Sequence, residues 1–107
     1  MIPDTGILDE MVRRTVEEVQ PRRVILFGSA ARGTMGPHSD LDLLVVMPDT
    51  ADCRAVTQRL YRRLRGLNQA KDLVVVRESD LERHGSSPFF IFQAALAEGK
   101  ELYHAAS

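Results

Sequence analysis

The chain has 107 residues, a formal net charge of −1 and 44% hydrophobic residues. That length predicts one domain over residues 1–107 with one core, and so small a charge supplies no overall field toward nucleic acid, so no direct nucleic-acid binding is expected. No apolar run approaches the roughly 20 residues of a membrane helix, Asp4, Asp9, Glu10, Arg13, Arg14, Glu17 and Glu18 exclude a signal peptide, and the lone Cys53 forbids an internal disulfide, so a cytoplasmic protein without membrane contact is expected.

Residues 4–19 read as an amphipathic helix, with Leu8, Met11, Val12, Thr15, Val16 and Val19 at helical spacing and Pro21 as its stop. Its other face carries Glu10, Arg13, Arg14, Glu17 and Glu18, a solvated surface with local ion pairs. Val24-Ile25-Leu26-Phe27 closes a buried strand at 23–27, which stops at Gly28-Ser29. Gly33, Gly36 and Pro37 break the loop that follows, and a second strand is expected at 41–47.

Pro48-Asp49-Thr50 leads into a helix over 51–66, with Cys53, Val56, Leu60, Leu64 and Leu67 as its buried stripe. Arg54, Arg59, Arg62, Arg63 and Arg65 fall mainly on the other side and read as a solvated face, with a docking surface around Arg59 and Arg62 as the alternative. Cys53 is expected to be inert in the core. A third strand follows at 71–76, then a short helix over 78–83, a helix over 88–98 that is apolar nearly all round, and a short edge strand at 101–103. The 88–98 helix is buried on all sides or meets another chain, which leaves a homo-oligomer open. His38, His84 and His104 are scattered, without zinc spacing.

Asp40 and Asp42 open the second strand on one face, roughly 6.6 Å apart, while Leu41 and Leu43 face the other way. Two neighbouring carboxylates repel, and a bound cation relieves them. Magnesium suits this donor set, since it prefers oxygen and is held by one or two carboxylates together with substrate phosphates. Gly28-Ser29 offers close backbone approach, N–H groups and a hydroxyl for a phosphate. For these residues to meet, the first two strands must run antiparallel. The helical crossover after the second strand makes the third parallel to it, which brings Asp72 to the same sheet edge as Asp40. Three carboxylates so placed can share two metals about 3.5–4 Å apart, the parts needed for metal-assisted phosphoryl or nucleotidyl transfer.

Gly28-Ser29, ten intervening residues and Asp40-x-Asp42 resemble the signature of the polymerase-beta-like nucleotidyltransferases. The wording GSAARG followed by SDLDLLV resembles their minimal bacterial and archaeal members. The resemblance implies a mixed α/β (α+β) fold with a small mixed sheet flanked by helices. It implies transfer of a nucleoside monophosphate, AMP from ATP, with two Mg2+ ions or with Mn2+ in their place. On the matching positions, Gly28 and Ser29 hold the β- and γ-phosphates and Arg32 neutralises phosphate charge. Asp40 and Asp42 bind both metals, and Asp72 binds the second beside the incoming hydroxyl.

Minimal nucleotidyltransferases are often encoded beside a helical HEPN protein. A HEPN-type partner is therefore implied, with one of its tyrosines as acceptor and an antitoxin role for this chain. A non-catalytic binding antitoxin and a small-molecule nucleotidyltransferase completed by a partner subunit are the alternatives. Related sequences often read GS-Arg-Ala-Arg-Gly, and Ala30 stands here where the first arginine would be, which implies a weaker grip on nucleotide.

Overall fold

Thr15 shows how the first helix, α1 (Thr5–Val19), seats itself: it is fully buried beside Leu8 and Met11, and its hydroxyl donates to the Met11 carbonyl at 2.7 Å. That internal bond satisfies the polar group inside the core. The structure, a computed structural model, describes residues 5–28, 40–67, 69–80 and 99–105. α1 ends at Gln20, whose φ of 51° and N–H bond to the Val16 carbonyl close the last turn just before Pro21.

Four strands form one sheet: β1 (Arg23–Phe27), β2 (Leu41–Met47), β3 (Lys71–Arg77) and β4 (Lys100–His104). Their order is β3-β2-β1-β4, with β1 antiparallel to both β2 and β4, and β2 parallel to β3. The expected strands are all present, β3 and the edge strand β4 running slightly longer than the spacing predicts. A register shift at Val24/Ile25 lets β4 follow β1 around an irregular step.

β2 is apolar on both faces because both faces are covered. Leu41, Leu43, Val45 and Met47 join Val24, Leu26, Leu73 and the buried residues of the helices in one cluster. Leu44 and Val46 join Ile25, Phe27 and Val76 in a second cluster on the opposite face. Even-numbered positions of β2 therefore share a face with even-numbered positions of β3.

The second helix, α2 (Cys53–Arg63), starts two residues later than predicted. Asp52 is its N-cap, accepting the N–H groups of Arg54 and Ala55 at 3.1 and 3.2 Å. Val56, Leu60 and Leu64 are buried as expected, but Cys53, placed at the first helical residue, is only half-buried. Partial burial pushes its thiol above the ordinary value. Bonds from Leu64 N–H to Leu60 and Arg65 N–H to Arg62 close the helix, and Gly66 turns the chain at φ 84°.

The arginine face of α2 is partly spent on α1. Arg59 donates to the Glu18 carbonyl at 2.8 Å, and Arg63 pairs with Glu17 at 3.1 Å. Arg14 returns the contact, donating to the carbonyls of Arg63 and Arg65 at 3.3 and 3.0 Å. Arg59 thus ties α2 to α1 while staying exposed, as Arg54, Arg62 and Arg65 are. Residues 78–80 begin the short helix, seated by Ser79 N–H on Asp49 and Arg77 N–H on Asp80. The rest of that helix and the apolar 88–98 segment lie outside the described residues. Among the described residues no helix is long and apolar enough to cross a membrane.

On α1, Glu10 receives the guanidinium groups of Arg13 and Arg14, and this pairing, with Arg13 the larger influence, holds its carboxyl down at about 2 against an ordinary 4.5. A depressed folded value means that stability is present above pH 4.5 and drains away as pH falls toward 2. Thermal melts across that window should show a shallower acid loss for Glu10→Gln than for the wild type; identical slopes would contradict the pairing.

Candidate functional site

The site begins where β1 ends. Gly28 has φ 72°, a conformation that side-chain-bearing residues rarely adopt. A Cβ placed on it would lie 2.3 Å from Oδ2 of Asp42 and 3.2 Å from its Cγ. The backbone of Gly28 therefore lies against the Asp42 carboxylate, which a Cβ would push aside, and its positive φ favours glycine. β1 and β2 reach this point through the register Phe27↔Asp42.

The same row continues across the sheet, since Asp42 is in register with Asp72 at the start of β3. Neighbouring strands lie about 4.8 Å apart, so the two carboxylates stand on adjacent strands and on one face. Asp40 sits immediately before β2, and Leu41 N–H donates to the Ala70 carbonyl at 3.0 Å, zipping the starts of β2 and β3 together. Asp40 and Asp72 are exposed and Asp42 is half-buried.

Sequence reasoning places Gly28, Asp40, Asp42 and Asp72 at one sheet edge, and the backbone does so. Ser29 and Arg32, with His38, lie outside the described residues. Among the described residues no three His, Cys, Asp or Glu side chains converge into a ready-made metal cage. The fold thus aligns the carboxylates along one edge without gathering them around a point. Their hard oxygen atoms, and the close approach at Gly28, fit a divalent cation with a phosphate beside it.

Two features escaped the sequence. Tyr61 of α2 accepts the backbone N–H of Leu73 through its hydroxyl at 3.0 Å, one residue from Asp72. An apolar cavity of about 240 Å³ lies between α1 and β4, lined by Leu8, Asp9, Val12 and Leu102. Neither has a local signal, because each depends on which distant element packs nearby.

The Gly28–Asp42 approach has a measurable consequence. Gly28→Ala should destabilise through backbone strain of about 1–2 kcal/mol together with the clash on Asp42. In an Asp42→Ala background the clash is gone, so the two changes should couple by roughly 1 kcal/mol in a double-mutant cycle read by denaturant unfolding. Equal costs in both backgrounds would show that the two residues do not touch.

Solved structures share this arrangement of elements. A chain from a toxin–antitoxin complex crystallised with AMP-PNP is 24% identical, with a TM-score of 0.60, and the match covers 96% of this chain and 75% of that one. A chain from a mutant MntA–HpeT toxin–antitoxin complex is 25% identical, with a TM-score of 0.57 and coverage of 96% and 74%. A chain from the Shewanella oneidensis complex of a tri-AMPylated HEPN toxin with its MNT antitoxin is 22% identical, with a TM-score of 0.55 and coverage of 94% and 69%. No curated protein matches the sequence. The family model described as a nucleotidyltransferase domain matches residues 8–95, a span that runs from α1 through all of β1, β2 and β3, and the chain belongs to that family.

Proposed function

We propose that this chain is a metal-dependent nucleotidyltransferase that moves AMP from ATP to a tyrosine hydroxyl on a HEPN-type helical toxin, and so acts as its antitoxin. The observation that carries this reading is the row Gly28–Asp42–Asp72, a backbone cradle beside two carboxylates on adjacent strands. The nucleotide analogue and the AMPylated HEPN toxin found with the similar structures support the choice of donor and acceptor.

In this reading residues 1–107 act as one nucleotidyltransferase domain. Gly28 and Ser29 bind the β- and γ-phosphates and Arg32 offsets phosphate charge with bidentate donors. Asp40 and Asp42 would hold two Mg2+ ions, or Mn2+ in their place, with Asp72 as a further ligand of the second. When bound, the metals supply charge stabilisation for the phosphates. Three carboxylates on one edge repel, and a cation is what would draw them together.

Asp72 lies on the side of the incoming hydroxyl and helps to take its proton. The tyrosine oxygen bonds to the α-phosphorus, the bond to the bridging oxygen of the β-phosphate breaks, and pyrophosphate leaves. Holding the hydroxyl in line is worth roughly 7–11 kcal/mol. Because Asp40 and Asp72 are exposed, that positioning calls for a second surface over the edge, and a bound helical protein provides it.

Incubation with ATP, Mg2+ and a HEPN-type partner, followed by intact-mass measurement, tests the proposal. Adenylyl groups should appear on the partner only with metal and ATP present, and should vanish in Asp72→Asn while the complex still forms. A complex without transfer would make the chain a binding antitoxin, and rapid transfer to a free small molecule would place it with the small-molecule enzymes. Calorimetry with Mn2+ should also show weaker binding to Asp42→Asn than to wild type; equal affinities would refute the metal assignment.

A further inference from the structure

Among the described residues Tyr61 is the large apolar side chain left exposed, at 40% accessibility. It stands on α2 beside the fully buried Leu60, and its hydroxyl accepts the N–H of Leu73 at 3.0 Å. Leu73 directly follows Asp72, and β3 ends the strand order β3-β2-β1-β4.

Alternate N–H groups along a strand point to opposite sides. The bond from Leu41 N–H to the Ala70 carbonyl, with the register Leu41↔Lys71, turns the amide of Asp72 toward β2. The amide of Leu73 then points outward, away from β2, and that is the amide the Tyr61 hydroxyl receives. The backbone at Asp72 is thereby held from both sides: by the ladder to β2 on one and by a side chain from α2 on the other. An outward amide in the first turn of pairing at a sheet edge would otherwise be left to water, where strand starts open most readily.

We propose that Tyr61 is a positioning residue for Asp72, fixing the start of β3 so that the carboxylate stays aligned with Asp42. This rests on the transferase reading of the same site. A catalytic carboxylate needs its supporting groups to hold it within about 0.5 Å, and loss of such support costs activity or metal affinity about tenfold or more. Tyr61→Phe keeps the ring and removes only the hydroxyl.

Three variants of the full chain are compared with the wild type: Tyr61→Phe, the exposed Gln58→Ala on the same helix as control, and Asp72→Asn as the limiting case. Each is titrated with Mn2+ alone, then assayed for AMP transfer to the HEPN-type partner. Tyr61→Phe should bind Mn2+ roughly tenfold more weakly, exchange the Leu73 amide faster and lose roughly tenfold in kcat. Its KM for ATP and its global melting temperature should stay at wild-type values, because Asp72 serves the acceptor side, and Gln58→Ala should match wild type throughout.

Wild-type Mn2+ affinity and kcat in Tyr61→Phe would overturn the proposal, as would a loss of kcat that merely follows a lower melting temperature. If the wild type binds Mn2+ through Asp72 yet transfers no AMP, the transferase reading fails and the Mn2+ comparison still decides the role of Tyr61. If the wild type binds no Mn2+, both readings fall.

Discussion

Everything at the candidate site depends on the contact between the Gly28 backbone and the Asp42 carboxylate. A main chain at φ 72° is allowed to come so near a side chain only because Gly28 has none of its own. That approach needs β1 and β2 antiparallel with Phe27 opposite Asp42, and the register needs the two apolar faces of β2 to stay where they are. A slip of one residue would turn Asp42 into the helix-covered core and Leu43 toward the edge. The hydrophobic pattern on both faces of β2 therefore fixes the position of the carboxylate.

The rest of the fold serves to hold β2 and β3 parallel and in step. The Val56, Leu60 and Leu64 stripe of α2 joins the core cluster that contains Leu41, Leu43 and Leu73. Polar contacts fix how the two helices lie: Arg59 on the Glu18 carbonyl, Arg63 on Glu17, and Arg14 on the carbonyls of Arg63 and Arg65. Exposed ion pairs add little stability each. Their use here is orientation, since carbonyls at the end of α2 are bound by an arginine from the other helix. Arg77 acts similarly at the far end of β3, donating to the Ala51 carbonyl just before α2 begins.

The strands and the candidate carboxylates were legible in the sequence because both follow rules that act at short range. Alternation along Leu41–Met47 separates two faces, and a strand–helix–strand crossover runs β3 parallel to β2 and puts Asp72 beside Asp42. Other features were not legible, for a common reason. An arginine on the polar side of a helix has the same spacing whether it meets water alone or a neighbouring helix as well, so the contacts of Arg59 and Arg63 with α1 gave no signal. Cys53 fits an apolar stripe by spacing, but the Asp52 cap makes it the first helical residue, where coverage is thin. Tyr61 gave no sign that its hydroxyl reaches an edge strand twelve residues away.

The distribution of burial along the row suggests why the site is built on strands and not on a loop alone. Asp42 is half-buried and held between β1 and β3, whereas Asp40 and Asp72 are exposed at the ends of their strands. One carboxylate is thus fixed by the sheet and two stand at its rim. Burying all three would impose desolvation on like charges that already repel, a cost that climbs steeply as water is removed. Leaving all three in water would let each wander through its rotamers and lose the alignment along the row. The arrangement fixes direction at the centre and leaves charge accessible at the edge, so the strength of these electrostatic interactions rises only when a second surface covers the rim and lowers the local dielectric.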